Sequence, residues 1–187
     1  MKLLIIDDDV LTRKKLVSAL PWKELGITTV LEAEDGRHGL ECALKYRPDI
    51  ILCDVYMPRM TGIDMAEQLQ EQLPNTSLIF MSGYSNKSYL LAAIRLKAVR
   101  YVEKPLNMQE IRIAVKEARR RCLQNRQLSQ HRTWVKTEQQ TRLALLLTAP
   151  YSKYAEEIRH LCATLSLKRG EQAIFTAYLV QFSDTDT

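Results

Sequence analysis

The sequence predicts an α/β fold: a doubly wound, five-stranded parallel sheet with flanking helices, followed by a C-terminal helical extension that ends in a strand. Two observations lead to this prediction. Over the first two thirds of the chain, five short apolar runs alternate with five longer stretches of helical periodicity. The connections between them are short, and in this part of the chain prolines fall only between the elements or at their edges. Short connections with right-handed crossovers place parallel strands between two layers of helices.

The strands are predicted, in chain order, at Lys2–Ile6, Thr29–Ala33, Asp49–Cys53, Ser77–Met81 and Val99–Val102. The helices between and after them are predicted at Val10–Leu20, Arg37–Tyr46, Ile63–Leu73, Asn86–Leu96 and Met108–Cys122. The first and third strands are apolar without alternation, which is typical of strands that are buried on both faces. The fifth helix carries one apolar face, formed by Ile111, Val115, Ala118 and Cys122.

The remainder of the chain is predicted to hold a connector and part of another domain. Residues 1–122 form the first domain, and the polar stretch 123–140 is either a helical connector or a flexible linker. Residues 141–187 form a partial α+β segment. Its elements are helices at Thr141–Thr148 and Lys153–Leu167, a turn at Lys168-Arg169-Gly170 and a strand at Ala173–Phe182. Because a lone strand leaves backbone groups unpaired, this segment is expected either to begin a truncated downstream domain, which we favour, or to pair with another copy.

Composition and charge narrow the classes of function. The apolar fraction of 46% and the charged fraction of 26% are ordinary for a globular protein. No stretch reaches the roughly 18 apolar residues of a membrane span. The four cysteines form no CxxC pair, which favours reduced thiols and a cytoplasmic location. The net charge of +5 is divided as +3 on residues 1–122 and +2 on residues 123–187, so no basic, nucleic-acid-binding domain stands out.

Acidic residues mark the ends of two predicted strands. Asp7, Asp8 and Asp9 follow the first strand, and Asp54 follows the third. Ligands of open α/β sheets bind outside the carboxyl ends of the strands, where these acids would share one crevice. Crowded carboxylates repel one another, and a hard cation such as Mg2+ relieves that repulsion. Asp9 also opens the first helix, and we interpret it as an N-cap rather than a metal ligand.

Five motifs in register resemble the receiver domain of two-component response regulators, a flavodoxin-like fold, over residues 1–122. They are Ile6-Asp7-Asp8-Asp9, Asp54-Val55-Tyr56-Met57-Pro58, Met81-Ser82-Gly83-Tyr84, Tyr101 and Lys104-Pro105. Three further segments are similar to the receivers of AraC-type transcriptional regulators. They are Leu20-Pro21-Trp22-Lys23-Glu24-Leu25-Gly26-Ile27, Ser82-Gly83-Tyr84 and Ala93-Ile94-Arg95-Leu96.

The resemblance implies a role for each acid. Asp54 would be the phosphoacceptor, taking a phosphoryl group from a histidine kinase. Asp8, Asp54 and the backbone carbonyl of Tyr56 would bind Mg2+, and Asp7 would act on the metal through a water molecule. The protein would then be no conventional enzyme, although it would take part in its own Mg-dependent phosphorylation and dephosphorylation. A phosphatase of the haloacid dehalogenase type, with Asp7 and Asp9 as its DxD pair, is disfavoured because the apparent nucleophile Asp54 follows the third strand.

Further positions follow from the same resemblance. Lys104 and Ser82 would contact the phosphoryl oxygens, and Lys104-Pro105 would be a cis peptide. Tyr101 would be a switch aromatic that moves inward with Ser82. Tyr56 and Tyr84 lie two residues past Asp54 and Ser82, respectively, and from that spacing we hypothesise that their rings restrict water near the phosphoryl group. At Leu96-Lys97-Ala98, lysine replaces a glycine that is frequent in the family, so the end of the fourth helix is expected to differ.

The output that follows from the resemblance is regulation of transcription. DNA binding would belong to a missing C-terminal region, and the chain itself would bind no DNA and no membrane. Phosphorylation could also promote a homodimer. The alternative is a stand-alone receiver that acts by docking a protein partner or by self-association.

Overall fold

The structure is a computed structural model, and it describes residues 1–83, 87–148 and 151–167, without the side chains of 131–133 and 151–153. The predicted turn at 168–170, the predicted strand Ala173–Phe182 and Tyr84 lie outside the described residues.

Strands and helices alternate as the sequence predicts. The strands are β1 (Lys2–Ile6), β2 (Thr29–Ala33), β3 (Ile50–Asp54), β4 (Ser77–Ser82) and β5 (Arg100–Glu103). The helices of the described ranges are α1 (Val10–Ala19), α2 (Gly36–Tyr46), α3 (Gly62–Leu69), α4 (Lys87–Arg95), α5 (Met108–Leu147) and α6 (Tyr151–Thr164).

The strands form one parallel sheet in the order β2-β1-β3-β4-β5, which confirms the doubly wound, flavodoxin-like fold. The strand order reverses beside β1, so β1 and β3 are neighbours although β2 separates them in the chain. Ile6 pairs with Cys53 in this register. The next residues, Asp7 just after β1 and Asp54 at the end of β3, therefore lie side by side at the carboxyl edge of the sheet.

Each face of the sheet has its own apolar core. Leu3 and Ile5 of β1 face the layer of α1 and α5, and the alternate residues Leu4 and Ile6 face the layer of α2, α3 and α4. All four side chains are fully buried. The predicted apolar face of the fifth helix is buried in the first of these cores. Burial on both faces explains why β1 reads as a continuous apolar run.

Helix α3 is shorter than predicted. The sequence predicts a helix to Leu73, but α3 ends at Leu69 and a turn follows, in which the Leu73 N–H donates to the Leu69 carbonyl at 2.8 Å. Pro74 follows directly, and a residue before proline is disfavoured in helical conformation. The apolar side chain of Leu73 is buried from this turn rather than from the helix.

Helix α5 is longer than predicted, with 40 residues where the sequence predicts 15 followed by a connector. The helix includes the stretch 123–140, for which the sequence leaves helix and linker open. It also takes in the predicted separate helix Thr141–Thr148 except for its last residue, Thr148, which lies in a turn. No glycine or proline interrupts Met108–Leu147. The chain divides into two compact units, Met1–Arg126 and Gln127–Thr187, and the division falls within α5.

The second unit has a small core of its own. Leu143 near the end of α5 packs with Ile158, Leu161 and Cys162 of α6. Arg142 and Glu157 form an ion pair beside these contacts. Over the described ranges, each helix is too short or too polar to span a bilayer.

Candidate functional site

Three of the predicted acids meet at the carboxyl edge of the sheet. Asp7, Asp8 and Asp54 each offer a carboxylate oxygen within 4.8 Å of the others. Asp7 and Asp54 are buried and Asp8 is exposed. This acidic cluster has the oxygen ligands and the spacing to hold one hard cation.

Lys104, the residue directly after β5, completes the cluster. Its Nζ donates to Asp54 Oδ2 at 2.6 Å and to Asp7 Oδ2 at 2.9 Å. Its backbone N–H donates to the Ser82 carbonyl at 2.8 Å, which continues the pairing of β5 with β4. The peptide between Lys104 and Pro105 is cis, as the resemblance implies. A single ammonium thus bridges the two buried carboxylates.

Lys104 and Asp54 each change the pKa of the other. Burial raises the pKa of the Asp54 carboxyl above its ordinary value, against the lowering effect of the hydrogen bond from Lys104. Burial would lower the pKa of the Lys104 ammonium, but its hydrogen bonds to Asp54 and Asp7 outweigh that effect and raise it. The lysine is therefore charged at neutral pH, and the Asp54 carboxylate is a stronger base than an exposed one.

Asp7 donates its N–H to the Ala33 carbonyl at 3.3 Å and accepts three further hydrogen bonds. Its Oδ2 accepts from Lys104, its Oδ1 accepts from the Asp9 N–H at 2.9 Å, and its backbone carbonyl accepts from Arg13 Nη1 at 2.7 Å. Both carboxylate oxygens are therefore already engaged. The exposed acid of the cluster is its neighbour Asp8.

Asp9 is the N-cap of α1, as predicted. Its carboxylate accepts from the N–H groups of Leu11 at 3.0 Å and Thr12 at 3.2 Å, and from the Thr12 hydroxyl at 2.7 Å. The hydroxyl bond, followed by the bond from Leu11, lowers the pKa of Asp9. Within the described residues, the acids close enough to share a cation do not include Asp9.

The sequence analysis missed the part of Gly62, which lets α3 approach the end of β3. A Cβ at this position would lie 2.1 Å from the carbonyl oxygen of Asp54 and 2.7 Å from Cys53 Sγ. Only glycine fits so close to the backbone of Asp54. The signal in the sequence is a glycine placed directly after Thr61, which forms a capping box with Asp64.

A second missed contact joins the β3–α3 loop to the start of α2. Arg59 forms an ion pair with the buried carboxylate of Asp35, the N-cap of α2. Arg59 adopts a left-handed backbone with φ of 69°. The same loop contains Tyr56, whose N–H donates to Asp54 Oδ1 at 3.4 Å and whose side chain is 60% exposed. The ion pair therefore restrains the loop that carries the predicted carbonyl ligand.

Ser82 and Tyr101 lie on neighbouring strands beside the cluster. Ser82 ends β4 and is 1% exposed. Tyr101 is half-buried, pairs with Phe80 in the sheet and packs on the face covered by α2, α3 and α4. The structure thus brings Ser82 to the carboxyl edge, and the switch role of Tyr101 stays a prediction.

Lys97 takes the left-handed conformation that a glycine would favour, with φ of 54°. The Ala98 N–H donates to the Ala93 carbonyl and the Lys97 N–H to the Ile94 carbonyl, both at 2.9 Å. These two bonds define a Schellman motif at the end of α4. The expected difference at this helix end was wrong, because lysine adopts the turn despite its Cβ.

Comparison with known proteins identifies the family. Residues 3–116 match the response regulator receiver domain family. This stretch is more than half of the chain, and the chain therefore belongs to the response regulator receiver family. The resemblance drawn from the five motifs is confirmed.

Among solved structures, receivers of AraC-type regulators are similar to the chain. A two component transcriptional regulator AraC from Clostridium phytofermentans ISDg is 44% identical, with a TM-score of 0.64, over 67% of this chain and 98% of that chain. The receiver domain of AraT, a response regulator from Geobacillus stearothermophilus, is 36% identical, with a TM-score of 0.63, over 67% of this chain and 97% of that chain. The similarity to receivers of AraC-type regulators is confirmed.

Longer relatives match through the receiver alone. An uncharacterized response regulatory protein of Staphylococcus epidermidis is 29% identical over 110 residues, which are 59% of this chain and 43% of the relative. The transcriptional regulatory protein HptR of Staphylococcus aureus is 27% identical over 112 residues, which are 60% of this chain and 44% of the relative. The matched stretch makes up less than half of each relative.

Proposed function

We propose that this chain is the phosphoacceptor receiver of a two-component response regulator, in which Asp54 accepts a phosphoryl group from a histidine kinase in the presence of Mg2+. The observation that carries the proposal is the bridge from Lys104 Nζ to Asp54 and Asp7, with Asp8 in the same cluster. A protein can belong to this family and still lack the residues that phosphoryl transfer requires. In this chain, four of the side chains that the chemistry needs stand together: Asp7, Asp8, Asp54 and Lys104.

Phosphoryl transfer to Asp54 is a nucleophilic displacement. A carboxylate oxygen of Asp54 attacks the phosphorus of a phosphohistidine, the P–N bond breaks, and the imidazole leaves with the bonding electron pair. The result is an acyl phosphate on Asp54. Burial raises the pKa of this carboxyl, which makes it a stronger base than an exposed aspartate. Bound Mg2+ would supply neutralisation of the charge that gathers on the phosphoryl oxygens.

The other side chains have roles that fit their positions. Asp8, Asp54 and the carbonyl of Tyr56 would hold the cation, with Asp7 acting through water. Lys104 would pass its hydrogen bond from Asp54 to a phosphoryl oxygen, because the ammonium already lies within 2.6 Å of the reacting group. Ser82 would donate its hydroxyl to another oxygen of the phosphoryl group.

Phosphorylation would change the conformation of the domain through β4 and β5. Tyr101 would move inward as Ser82 engages the phosphoryl group, since both lie on the adjoining strands β4 and β5. We further propose a cytoplasmic regulator of transcription whose DNA-binding region lies outside these 187 residues. The relative HptR is a transcriptional regulatory protein, and the matched receiver makes up only 44% of its length.

The proposal is tested by incubating the full chain with Mg2+ and a small phosphodonor, such as acetyl phosphate, and locating the phosphate by mass spectrometry. We expect one phosphoryl group at Asp54. Asp54→Asn should abolish it, whereas Asp9→Asn, which preserves an N-cap side chain, should leave it in place. Phosphate at another residue, or phosphorylation that persists in Asp54→Asn, would overturn the assignment.

A further inference from the structure

A buried arginine on α1 contacts the backbone of the acidic cluster. Arg13 is 9% exposed, and its Nη1 donates to the carbonyl oxygen of Asp7 at 2.7 Å. Its Nε lies 3.5 Å from Glu32 Oε2 and has no hydrogen-bond partner among the described residues. Burying a guanidinium costs free energy, and one short hydrogen bond with one longer ion pair is little to offset that cost. The buried position of Arg13 therefore needs an explanation.

We propose that Arg13 is a positioning residue: it fixes the peptide between Asp7 and Asp8 and thereby aims the Asp8 carboxylate at the cation. This inference rests on the proposed function, because it concerns the same acidic cluster. It adds a residue to which the family motifs of the sequence gave no role.

The helix explains how Arg13 reaches that peptide. Asp9 caps α1, and the Arg13 N–H makes an early helical bond to the Asp9 carbonyl at 3.1 Å. Side chains of helical residues lean toward the N-terminus of the helix. A long side chain at Arg13 therefore extends back past the cap, where the chain leaves β1.

Peptide geometry passes this contact on to Asp8. The Asp7 carbonyl and the Asp8 N–H belong to one planar unit, so a hydrogen bond that holds the carbonyl fixes the orientation of the plane. The Asp7 carboxylate is already held by Lys104 and by the Asp9 N–H. With the carbonyl also held, the direction in which Asp8 leaves the backbone is set before any cation arrives.

Charge and position predict opposite effects for the loss of Arg13. Arg13 is a cation near three carboxylates, so on Coulomb grounds alone its removal would strengthen Mg2+ binding. If its purpose is to orient Asp8, removal weakens binding even though a repulsive charge has gone. The sign of the change in Mg2+ affinity therefore distinguishes a purely electrostatic effect of Arg13 from a positioning role.

The experiment measures Mg2+ affinity of the full chain by isothermal titration calorimetry. We expect Arg13→Met to bind Mg2+ about tenfold more weakly, in the range seen when a partner of a metal ligand is lost. Arg13→Lys, which keeps a donor, should recover part of the loss. Lys14→Met is the matched control: it removes an exposed cation one position away and should leave the affinity unchanged or slightly raised.

A second readout needs no metal. In metal-free protein, the amide resonance of Asp8 should shift in Arg13→Met and stay in place in Lys14→Met, since only the first frees the shared peptide plane. If Arg13→Met does not fold, Arg13→Gln, which is neutral and shorter, replaces it. The role of Arg13 is overturned if a folded variant without this hydrogen bond binds Mg2+ as tightly as the wild type or more tightly. It is also overturned if the Asp8 resonance does not move.

These outcomes are distinct from failure of the proposed function. A wild-type chain that is not phosphorylated at Asp54, or that binds no Mg2+, contradicts the proposed function, while the metal-free resonance still tests Arg13. A wild-type chain that is phosphorylated, with Arg13 variants that bind Mg2+ normally, contradicts only the positioning role.

Discussion

Lys104 Nζ lies 2.6 Å from Asp54 Oδ2, across a separation of 50 residues in the sequence. The same nitrogen contacts Asp7 at 2.9 Å. The ammonium therefore occupies the space between the two carboxylates that a divalent cation would also approach. Lys104 and a bound cation would therefore compete for the same two carboxylates in the unphosphorylated protein.

Loss of this lysine should strengthen cation binding while it impairs phosphorylation. We expect Lys104→Met to bind Mg2+ about tenfold more tightly, because two like charges a few ångströms apart in a partly buried site repel by up to about 4 kcal/mol, much of which relaxation offsets. Titration calorimetry measures the affinity, and acetyl phosphate labelling measures the loss of transfer. Lys116→Met, at an exposed position on α5, serves as the control. Affinity that falls in Lys104→Met would contradict the competition.

The ionisation of Asp54 should make the metal-free protein less stable as pH rises. Burial raises its pKa in the folded state, so its contribution to stability is complete below the ordinary value of 3.8 and is lost as pH rises through the raised value. Asp54→Asn should then be more resistant to urea than the wild type at neutral pH without Mg2+. The difference should close as the pH falls toward 3.8.

Addition of Mg2+ provides the control for that experiment. The cation should stabilise the wild type more than Asp54→Asn, since it binds the folded state through the carboxylate. A variant that is less stable than the wild type at neutral pH would contradict the destabilising effect of the buried charge.

Asp8 and Asp9 are adjacent but should respond to mutation in different ways. Asp9→Ala should lower the melting temperature by a few degrees, because α1 loses its N-cap, and should leave Mg2+ affinity nearly unchanged. Asp8→Ala should abolish measurable Mg2+ binding with little loss of stability. Thermal melts and titrations of the same two variants test both statements, and loss of metal binding in Asp9→Ala would overturn the division of roles.

The capping contribution of Asp9 should depend on pH. Hydrogen bonds from Thr12 and Leu11 lower the pKa of this carboxyl in the folded state. Its stabilising effect is therefore present above the ordinary value of 3.8 and is lost as pH falls through the lowered value. The gap in melting temperature between wild type and Asp9→Ala should narrow in acid, and a gap that widens would contradict the capping role.

Glycine in place of Lys97 should stabilise the first unit. Lys97 holds the C′ position of the Schellman motif with φ of 54°, where a Cβ is disfavoured by about 1 kcal/mol. We expect Lys97→Gly to raise the free energy of unfolding by up to that amount in urea denaturation. The bond from Arg121 Nη1 to the Lys97 carbonyl uses only the backbone, so it is kept. Lys97→Ala retains the Cβ and should show little gain.

A methyl group at Gly62 should disturb the site directly. In Gly62→Ala the new Cβ would meet the Asp54 carbonyl oxygen at 2.1 Å, so α3 or the end of β3 must shift. We expect a loss of stability of about 3 kcal/mol or more together with slower phosphorylation. Gly83→Ala is the matched control, since nothing lies within 4 Å of the Cβ that it would add. Equal effects of the two substitutions would contradict this account.

The sequence predicted β1 and β2 to the residue, the two-sided burial of the sheet and the meeting of Asp7, Asp8 and Asp54. These features follow from apolar periodicity and from the rule that parallel strands end at one edge. The N-cap role of Asp9 followed from its place directly before the predicted helix Val10–Leu20.

Other features are contacts between side chains and backbone of separate elements, and the periodicity of a single element does not reveal them. The contact of Arg13 with the Asp7 carbonyl, the ion pair of Arg59 with Asp35, and the close approach of Gly62 to Asp54 each join separate elements. The length of α5 was underestimated because its polar middle lacks an apolar stripe, although the absence of glycine and proline allows helix throughout.

The acidic cluster also sets which cation charge it can accept. Since Arg13 lies beside Glu32, the three carboxylates and Lys104 leave two net negative charges in the crevice. A divalent ion brings the crevice to neutrality, whereas a monovalent ion leaves it negative and a trivalent ion makes it positive. An acyl phosphate on Asp54 would replace the single charge of the carboxylate by about two, so the phosphorylated crevice would attract the same ion more strongly. By thermodynamic reciprocity, the ion would then favour the phosphorylated state to the same degree.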